Sequence, residues 1–394
     1  MEILQNREIH QIISSLWKQY LTAEIVNDIL MEEIREQLYL ENVSVPGEKN
    51  SPAFLDGVAR LAFSDRIEDI VSALFSDKES WYPYSELTQF YDAPGLYDIL
   101  LKNIAGQLQW YDDTVITDNP YCRTVSFQSV FRNNMELKYA DTLPYEFFQT
   151  YPTYRKTNPF LYATAGFFTE PVSFPVILEN NEVWMSIVVS ETESMTVPVE
   201  KAHGHVITYG LGLGYYAFMA AEKPEVETVT VVEMNPAVIS LFKEHILPQF
   251  PHKEKIRIIE ADALSFAKNQ KDGLFDIAFF DFWAGYFDGL SLYKKLLPRT
   301  VHLKNTTCFY WIESCFAEYF FRPVIMKFLM EKGTGRSFSL PPISKKAGLL
   351  QRHFLSYLNT CEGRLSTPEE IDYLLSDDGL IPLVRKFIRN HRSG

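Results

Sequence analysis

An acidic residue and three glycines are spaced so that they could bind a nucleoside. Residues 206–216 read as an apolar strand, a turn that contains Gly210, Gly212 and Gly214, and the start of a helix. Glycine allows a sharp turn and a close approach to a ligand because it has no Cβ. Glu233 ends the next apolar strand, where a carboxylate can accept hydrogen bonds from both hydroxyls of a ribose. The spacing therefore indicates a site for a nucleoside-containing cofactor.

Two further acids follow apolar strands later in the chain. Asp262 comes just after the segment 256–259, and Asp281 comes directly after the segment 275–280. The ends of consecutive parallel strands line one crevice, so we expect Glu233, Asp262 and Asp281 to converge. A structural explanation exists for each, because Glu233 could be a solvated strand end and the aspartates could cap helices. Three acids at three such ends favour a functional site.

The elements around these residues alternate between strand and helix from residue 205 onwards. This alternation is typical of a parallel sheet that is covered by helices on both faces. The predicted strands are 206–209, 228–232, 256–259, 275–280 and 307–312, and the predicted helices are 215–221, 236–246 and 290–297. The predicted fold class is α/β, with a Rossmann-like doubly wound sheet.

The rest of the chain predicts additions on both sides of this core. Residues 1–115 have apolar positions at helical spacing and predict a helical N-terminal domain. Residues 116–200 read as irregular chain with a β-hairpin, in which the strands 176–178 and 183–189 flank the turn Asn180-Asn181. The core spans 201–315. Residues 316–394 predict a helical C-terminal extension, with helices at 319–330, 347–358 and 368–375.

Composition and charge argue against several classes of function. The chain has 394 residues, is 46% hydrophobic and carries a formal net charge of −14, which argues against a nucleic-acid partner. Its four cysteines lack metal-site spacing, so no metal is expected. A basic, apolar leader is absent from the N-terminus, and nowhere do about 18 apolar residues run uninterrupted. A cytoplasmic protein with no membrane partner is expected.

The order of these features resembles the class I S-adenosylmethionine-dependent methyltransferases over about residues 200–315. In that family a Gly-x-Gly-x-Gly loop packs under the methionine part of the cofactor, an acid after the second strand holds the ribose, and an acid after the third contacts the adenine. The residues that match, and are therefore expected to bind the cofactor, are Gly210, Gly212, Gly214, Glu233, Met234, Asp262, Ala263 and Asp281.

The resemblance implies S-adenosylmethionine as the cofactor and methyl transfer to a small-molecule acceptor. Asp281 is the expected catalytic residue, which would orient the acceptor or take its proton. Tyr209 stands directly before the first glycine, where the family commonly has an acid, and it is included among the expected cofactor-binding residues. Trp283 and Tyr286 follow Asp281 and are expected to contact the substrate, although aromatic residues at such positions often only pack.

A second relative shares this cofactor architecture. Aminopropyltransferases of the spermidine synthase type place a hairpin and an acidic segment just before the first glycine strand, as this chain does with Glu191 and Glu193. By that resemblance these acids would bind a polyamine, whereas the structural explanation for them is a solvated turn. The glycine loop and the segment after Asp281 depart from that family, which has Gly-Gly-Gly-Asp-Gly-Gly and Asp-Ser-Ser-Asp there. Aminopropyl transfer is therefore the second possible reaction.

Two more hypotheses concern different classes of protein. A dinucleotide fingerprint would need its third glycine at position 215, which is Tyr215 here. That substitution argues against NAD or FAD. The chain could instead be a non-catalytic, methyltransferase-like scaffold that binds partners. The helical additions could also form a homodimer.

Overall fold

The computed structural model describes residues 1–78, 80–283, 285–340 and 344–390, without the side chains of residues 286–288. The chain divides into two compact units. The first comprises Met1–Trp110, Pro144–Thr169 and Ser314–Gly394, and the second comprises Tyr111–Leu143 and Glu170–Glu313. Each unit is thus built from segments that are distant in sequence. The four-segment division made from the sequence stays a prediction.

Helices are found in both units of the described chain. In chain order they are α1 (Arg7–Arg35), α2 (Pro52–Ser76), α3 (Ala93–Ala105), α4 (Thr114–Thr117), α5 (Pro120–Thr124), α6 (Val189–Ser194), α7 (Thr196–Lys201), α8 (Tyr215–Ala221), α9 (Pro236–Leu241), α10 (Ala263–Asn269), α11 (Tyr286–Thr300), α12 (Glu313–Phe316), α13 (Arg322–Thr334), α14 (Lys345–Thr360), α15 (Pro368–Leu375) and α16 (Asp377–Asn390).

The strands are mostly short, and the longest belong to the second unit. In chain order they are β1 (Glu2–Ile3), β2 (Leu108–Trp110), β3 (Val130–Arg132), β4 (Met135–Thr142), β5 (Phe148–Gln149), β6 (Ala165–Phe167), β7 (Val172–Glu179), β8 (Glu182–Ser186), β9 (Gly204–Tyr209), β10 (Val226–Glu233), β11 (Ile256–Glu260), β12 (Ile277–Phe280), β13 (Thr307–Tyr310) and β14 (Arg364–Leu365).

The first unit is mainly helical, as the apolar spacing of its sequence indicates. Its long helices begin at residues whose side chains accept hydrogen bonds from the first turn: Asn6 for α1, Ser51 for α2 and Asp92 for α3. Short strands accompany the helices: β1 pairs with β14, and β2, β6 and β5 form a three-stranded sheet in that order. The helix α16 was not predicted, and it contains Gly379 and Pro382, which normally interrupt a helical pattern.

An antiparallel sheet of the order β3-β4-β7-β8 belongs to the second unit. It contains the predicted hairpin, whose turn residues Asn180 and Asn181 have φ of +52° and +67°. Positive φ at both central residues is the requirement of a tight two-residue hairpin turn, and asparagine tolerates it. The prediction of a strand over 183–189 was too long. The strand β8 ends at Ser186, and Val189 already begins the helix α6.

The second unit also holds a parallel sheet of the order β11-β10-β9-β12-β13 in the described part of the chain. The chain starts at the centre with β9, moves outwards through β10 and β11, and then crosses to β12 on the other side. This reversal defines a doubly wound, Rossmann-like α/β fold and leaves a crevice at the carboxyl ends of the central strands. The predicted fold class is therefore confirmed.

Most predicted elements of this sheet are found within a few residues of their expected limits. The helix expected over 236–246 is α-helical only to Leu241 and continues as a π-helical turn over Phe242–Ile246. The strand expected to end at residue 312 ends at Tyr310. The sheet described here is entirely parallel, so the antiparallel strands that often complete a class I methyltransferase sheet are not among its described members.

Candidate functional site

A cavity of about 490 Å³ lies at the carboxyl ends of β9, β10, β11 and β12. Its volume falls within the range of small-molecule sites. The strand ends bring the glycine turn and the acids together, while β8 supplies a further wall. Its lining residues are Trp184, Met185, Ser186, Ile187, Met195, Thr208, Gly210, Leu211, Gly212, Leu213, Tyr215, Tyr216, Val232, Glu233, Met234, Asn235, Ala261, Asp262, Ala263, Leu264, Phe279, Asp281, Phe282, Trp283 and Leu292.

The glycine turn joins β9 to α8 and has positive φ at three positions: +106° at Gly210, +51° at Gly212 and +78° at Gly214. Gly210 and Gly212 line the cavity. A Cβ on Gly210 would overlap the carbonyl oxygen of Asp281, so the turn can pass the end of β12 only without a side chain. Gly214 is not among the lining residues, and a Cβ there would overlap the ring of Phe242.

Glu233 clamps the loops around the glycine turn. One oxygen of its carboxylate accepts from the backbone nitrogen of Leu211 at 3.1 Å, and the other accepts from the backbone nitrogens of Met234 and Asn235, both at 2.8 Å. A carboxylate has roughly four acceptor sites, so part of its capacity is left for a ligand. The side chain of Glu233 is therefore buried and holds the two loops together, and it still borders the cavity.

Asp262 serves as the N-cap of α10, which was one of its two expected roles. Its carboxylate accepts from the backbone nitrogen of Ser265 at 2.8 Å, and the hydrogen bonds from Ser265 lower the pKa of Asp262. It also lines the cavity, together with Ala263. Met234 lines the cavity as well and is 66% exposed.

Tyr209 is placed differently from the other predicted cofactor-binding residues. Its hydroxyl donates to the side-chain oxygen of Gln270 in the interior, and its ring stacks on Phe280 at 4.4 Å between centroids. The alternation of side chains along β9 directs it away from the crevice, and it is not among the lining residues. The structure thus does not bring Tyr209 to the cavity.

Asp281 and Glu191 form an interacting pair of carboxyl groups. Burial raises the pKa of Asp281 well above its ordinary value, and the nearby charge of Glu191 raises it further. Burial also raises the pKa of Glu191 to about 7. Both side chains are half-buried. The helix α6, which follows β8, brings Glu191 to the end of β12.

The remaining predicted substrate residues have separate positions. Glu193 accepts a hydrogen bond from the hydroxyl of Tyr111 at 2.8 Å and is not among the lining residues. Trp283 lines the cavity and stacks on Phe282 at 4.3 Å between ring centroids. The side chain of Tyr286 lies outside the described residues. The acidic segment is thus a helix, α6, and not a solvated turn.

Sequence reasoning missed the wall that β8 contributes. Trp184, Met185, Ser186 and Ile187 line the cavity in succession, and Met195 joins them from the junction of α6 and α7. The position of the hairpin just before β9 was the available signal, but it did not identify which side chains face the crevice.

Among the described residues, the charged side chains that line the cavity are all acidic. Carboxyl groups border the cavity at Glu233, Asp262 and Asp281, with Glu191 beside the last. No Lys, Arg or His lines the cavity among the described residues. Such a site favours a ligand that carries positive charge.

No protein-family profile and no curated protein matches this chain. It has similarity to solved structures of a spermidine synthase from Thermotoga maritima (13% identity, TM-score 0.27, 45% of this chain and 52% of that one) and of a spermidine synthase with the transition-state analogue AdoDATO (13%, 0.28, 44% and 51%). Precorrin 8W decarboxylase from Methanobacterium thermoautotrophicum is a third (20%, 0.25, 31% and 62%).

This chain spans about half the length of the spermidine synthases that it matches. Similarity at this level carries no argument about the reaction, and the Rossmann-like class rests on the sheet itself. Among the described residues, no helix is long and apolar enough to cross a membrane. The same residues contain no group of three His, Cys, Asp or Glu side chains that could hold a metal ion.

Proposed function

We propose that this protein transfers a methyl group from S-adenosylmethionine to an amine of a small-molecule acceptor. The observation that carries the proposal is the pair of Asp281 and Glu191 at the end of β12. Two half-buried carboxyl groups with raised pKa values, the pKa of Asp281 being raised further by the charge of Glu191, suit a site that accepts a proton or an ammonium group.

The residues around the cavity fit the cofactor. In the proposal Glu233 binds the ribose hydroxyls, Asp262 the adenine amino group, and Ala263 and Leu264 the adenine ring. Gly210 and Gly212 would lie under the amino-acid tail. When bound, S-adenosylmethionine supplies a methyl group on a positively charged sulfur.

The work of the chain itself is positioning and proton transfer. A neutral amine is the nucleophile, and an amine that enters as ammonium must first lose a proton. In the proposal Asp281 first releases its own proton to solvent and then takes the proton of the amine, and the nearby charge of Glu191 makes the Asp281 carboxylate a stronger base. Trp283 and Tyr215 surround the acceptor and exclude water, and aromatic faces attract cations by about 0.5–2 kcal/mol.

Aminopropyl transfer is the second candidate, and one observation favours it. S-adenosylmethionine carries a carboxylate on its tail, and decarboxylated S-adenosylmethionine does not. The described cavity lining has acids and no basic side chain to pair with a carboxylate. A doubly cationic ligand suits that lining, so the two sulfonium compounds must be compared directly.

Titration calorimetry separates these candidates. We expect the purified protein to bind S-adenosylmethionine and S-adenosylhomocysteine with a micromolar Kd and to bind NAD at least tenfold more weakly. Tighter binding of decarboxylated S-adenosylmethionine would favour aminopropyl transfer over methyl transfer. If no nucleoside bound, the enzyme hypothesis would be wrong and a scaffold role would replace it.

Two variants then divide binding from catalysis. Glu233→Ala is expected to weaken cofactor binding by roughly tenfold or more, because the loss of a charged hydrogen-bond partner costs about 1.5–3 kcal/mol. Asp281→Asn is expected to leave the cofactor Kd within about threefold and to lower kcat by about 10²–10⁴-fold, the usual share of a general base. Loss of both binding and turnover in Asp281→Asn would instead indicate a structural role.

A further inference from the structure

The side chain of Met185 covers the open face of the glycine turn. Met185 lies on β8, is half-buried and lines the cavity. Its Cγ and Sδ lie 3.5 Å from the position that a Cβ on Gly212 would occupy, and its Cε overlaps that position. The space that glycine leaves free beside Gly212 is therefore filled by a side chain from the hairpin.

The side chain of Met185 is chemically similar to the part of the cofactor that is expected to pack on the glycine turn. The side chain of methionine ends in a methylene, a thioether sulfur and a methyl group. The amino-acid part of S-adenosylmethionine is itself methionine, and the glycine turn is where that part would pack. An unbranched side chain with three rotatable bonds can also leave such a position without a backbone rearrangement.

The backbone of Met185 is paired within the antiparallel sheet, beside an irregularity in the register of β7 and β8. β8 pairs with β7, and Met185 lies opposite Ile177 in that register. Ile177 is fully buried. The backbone of Met185 is thus held in a sheet, while its thioether reaches the turn across the cavity wall.

We propose that Met185 is a built-in competitor for the amino-acid tail of the cofactor, occupying the tail's place on the glycine turn until a ligand displaces it. This inference rests on the proposed function and extends it by naming the residue that sets tail affinity. A ligand with an amino-acid tail has to displace the thioether, whereas a ligand without a tail does not. Met185 therefore determines how strongly the site distinguishes the two.

The test uses two ligands and a matched control variant. S-adenosylhomocysteine has the tail, and 5′-methylthioadenosine keeps the nucleoside and the sulfur but lacks it. Calorimetry with the full chain compares the wild type with Met185→Ala and with Met219→Ala. Met219 is a half-buried methionine on α8 that is not among the residues lining the cavity.

We expect Met185→Ala to bind S-adenosylhomocysteine about three- to tenfold more tightly than the wild type, because no side chain has to be displaced and reordered. Its affinity for 5′-methylthioadenosine should stay within about twofold. Met219→Ala should leave both affinities unchanged. Met185→Leu, which has no atom equivalent to Cε, should give a smaller change in the same direction and serves if the alanine variant unfolds.

Equal or weaker binding of S-adenosylhomocysteine by Met185→Ala, with the wild type binding both nucleosides, would overturn the role of Met185 and leave the proposed function intact. Equal tightening for both ligands would also overturn it, since that result reports a larger cavity and not a freed tail site. Failure of the wild type to bind either nucleoside would refute the proposed function, and this inference with it.

Discussion

The carboxyl groups of Asp281 and Glu191 show how neighbouring residues change ordinary chemistry. Each is a common acidic side chain, but burial favours the protonated form of both, and the charge of Glu191 favours it further in Asp281. In the folded protein the pair therefore retains a proton at pH values where free carboxyl groups are ionised. A group that binds protons more tightly when folded makes stability depend on pH.

Glu191→Gln tests this at the level of one residue. The folded-state pKa of Glu191 is raised from 4.5 to about 7, so its contribution is complete below pH 4.5 and is lost as the pH rises towards 7. Glutamine cannot ionise and avoids that loss. We expect the free energy of unfolding of the variant to rise relative to that of the wild type by on the order of 1–3 kcal/mol between about pH 5 and about pH 8. Urea unfolding at each pH measures this difference.

Glu200→Gln is the control for that experiment, because Glu200 is an exposed glutamate on the adjacent helix α7. Its stability difference from the wild type should change little over the same pH range. A difference for Glu191→Gln that stays constant with pH would contradict the raised pKa of the buried pair.

At the level of elements, the turn between β9 and α8 determines how closely the strands approach. The positive φ of Gly210 and the nearby carbonyl of Asp281 leave no room for any side chain. Gly210 thus meets two structural requirements. The first is its own positive φ, and the second is the close approach of the backbone that follows β12. The glycine was recognisable in the sequence, but its packing partner was not.

Gly210→Ala is expected to destabilise the second unit by on the order of 3 kcal/mol or more. The positive φ accounts for about 1–2 kcal/mol, and the remainder comes from displacing the backbone of Asp281. Gly273→Ala is the matched control, since Gly273 has φ of +70° in the same unit and a Cβ there would meet only Asn305 at 3.7 Å. Similar unfolding midpoints for both variants would contradict the clash at Gly210.

At the level of the whole molecule, a buried cluster of charged side chains joins three helices within the first unit. In the first unit the buried guanidinium of Arg322 pairs with Glu318 and with Asp377, the latter at 2.5 Å, and its Nε donates to the carbonyl of Leu375 at 2.7 Å. Burial raises the pKa of Glu318 to about 7, although the charge of Arg322 opposes the shift. This cluster holds α13 against α15 and α16.

Arg322→Met is expected to lower the stability of the first unit by about 3–5 kcal/mol, because it leaves a carboxyl group buried without its partner. Arg322→Met with Glu318→Gln should recover part of that loss. Arg60→Met removes an exposed pair with Asp56 and should cost under about 1 kcal/mol. Thermal unfolding of the three proteins checks the order, and equal losses for Arg322→Met and Arg60→Met would contradict it.

Local patterns in the sequence were enough to predict the α/β class, most strands of the parallel sheet and the hairpin. They also placed Gly210, Glu233 and Asp281 at strand ends, and the structure brings these three to one cavity. Apolar periodicity and turn residues are properties of adjacent positions, so they can be recognised without knowing which distant segments will pack together.

Only the tertiary structure decided what surrounds each of these residues. In the tertiary structure Glu191 lies near Asp281, and the side chain of Tyr209 contacts Gln270 in the interior. The side chain of Met185 contacts the glycine turn at Gly212. These outcomes depend on contacts between segments that are far apart in sequence. Burial, pKa and the shape of the cavity follow from such contacts, and the spacing of residues along the chain does not contain them.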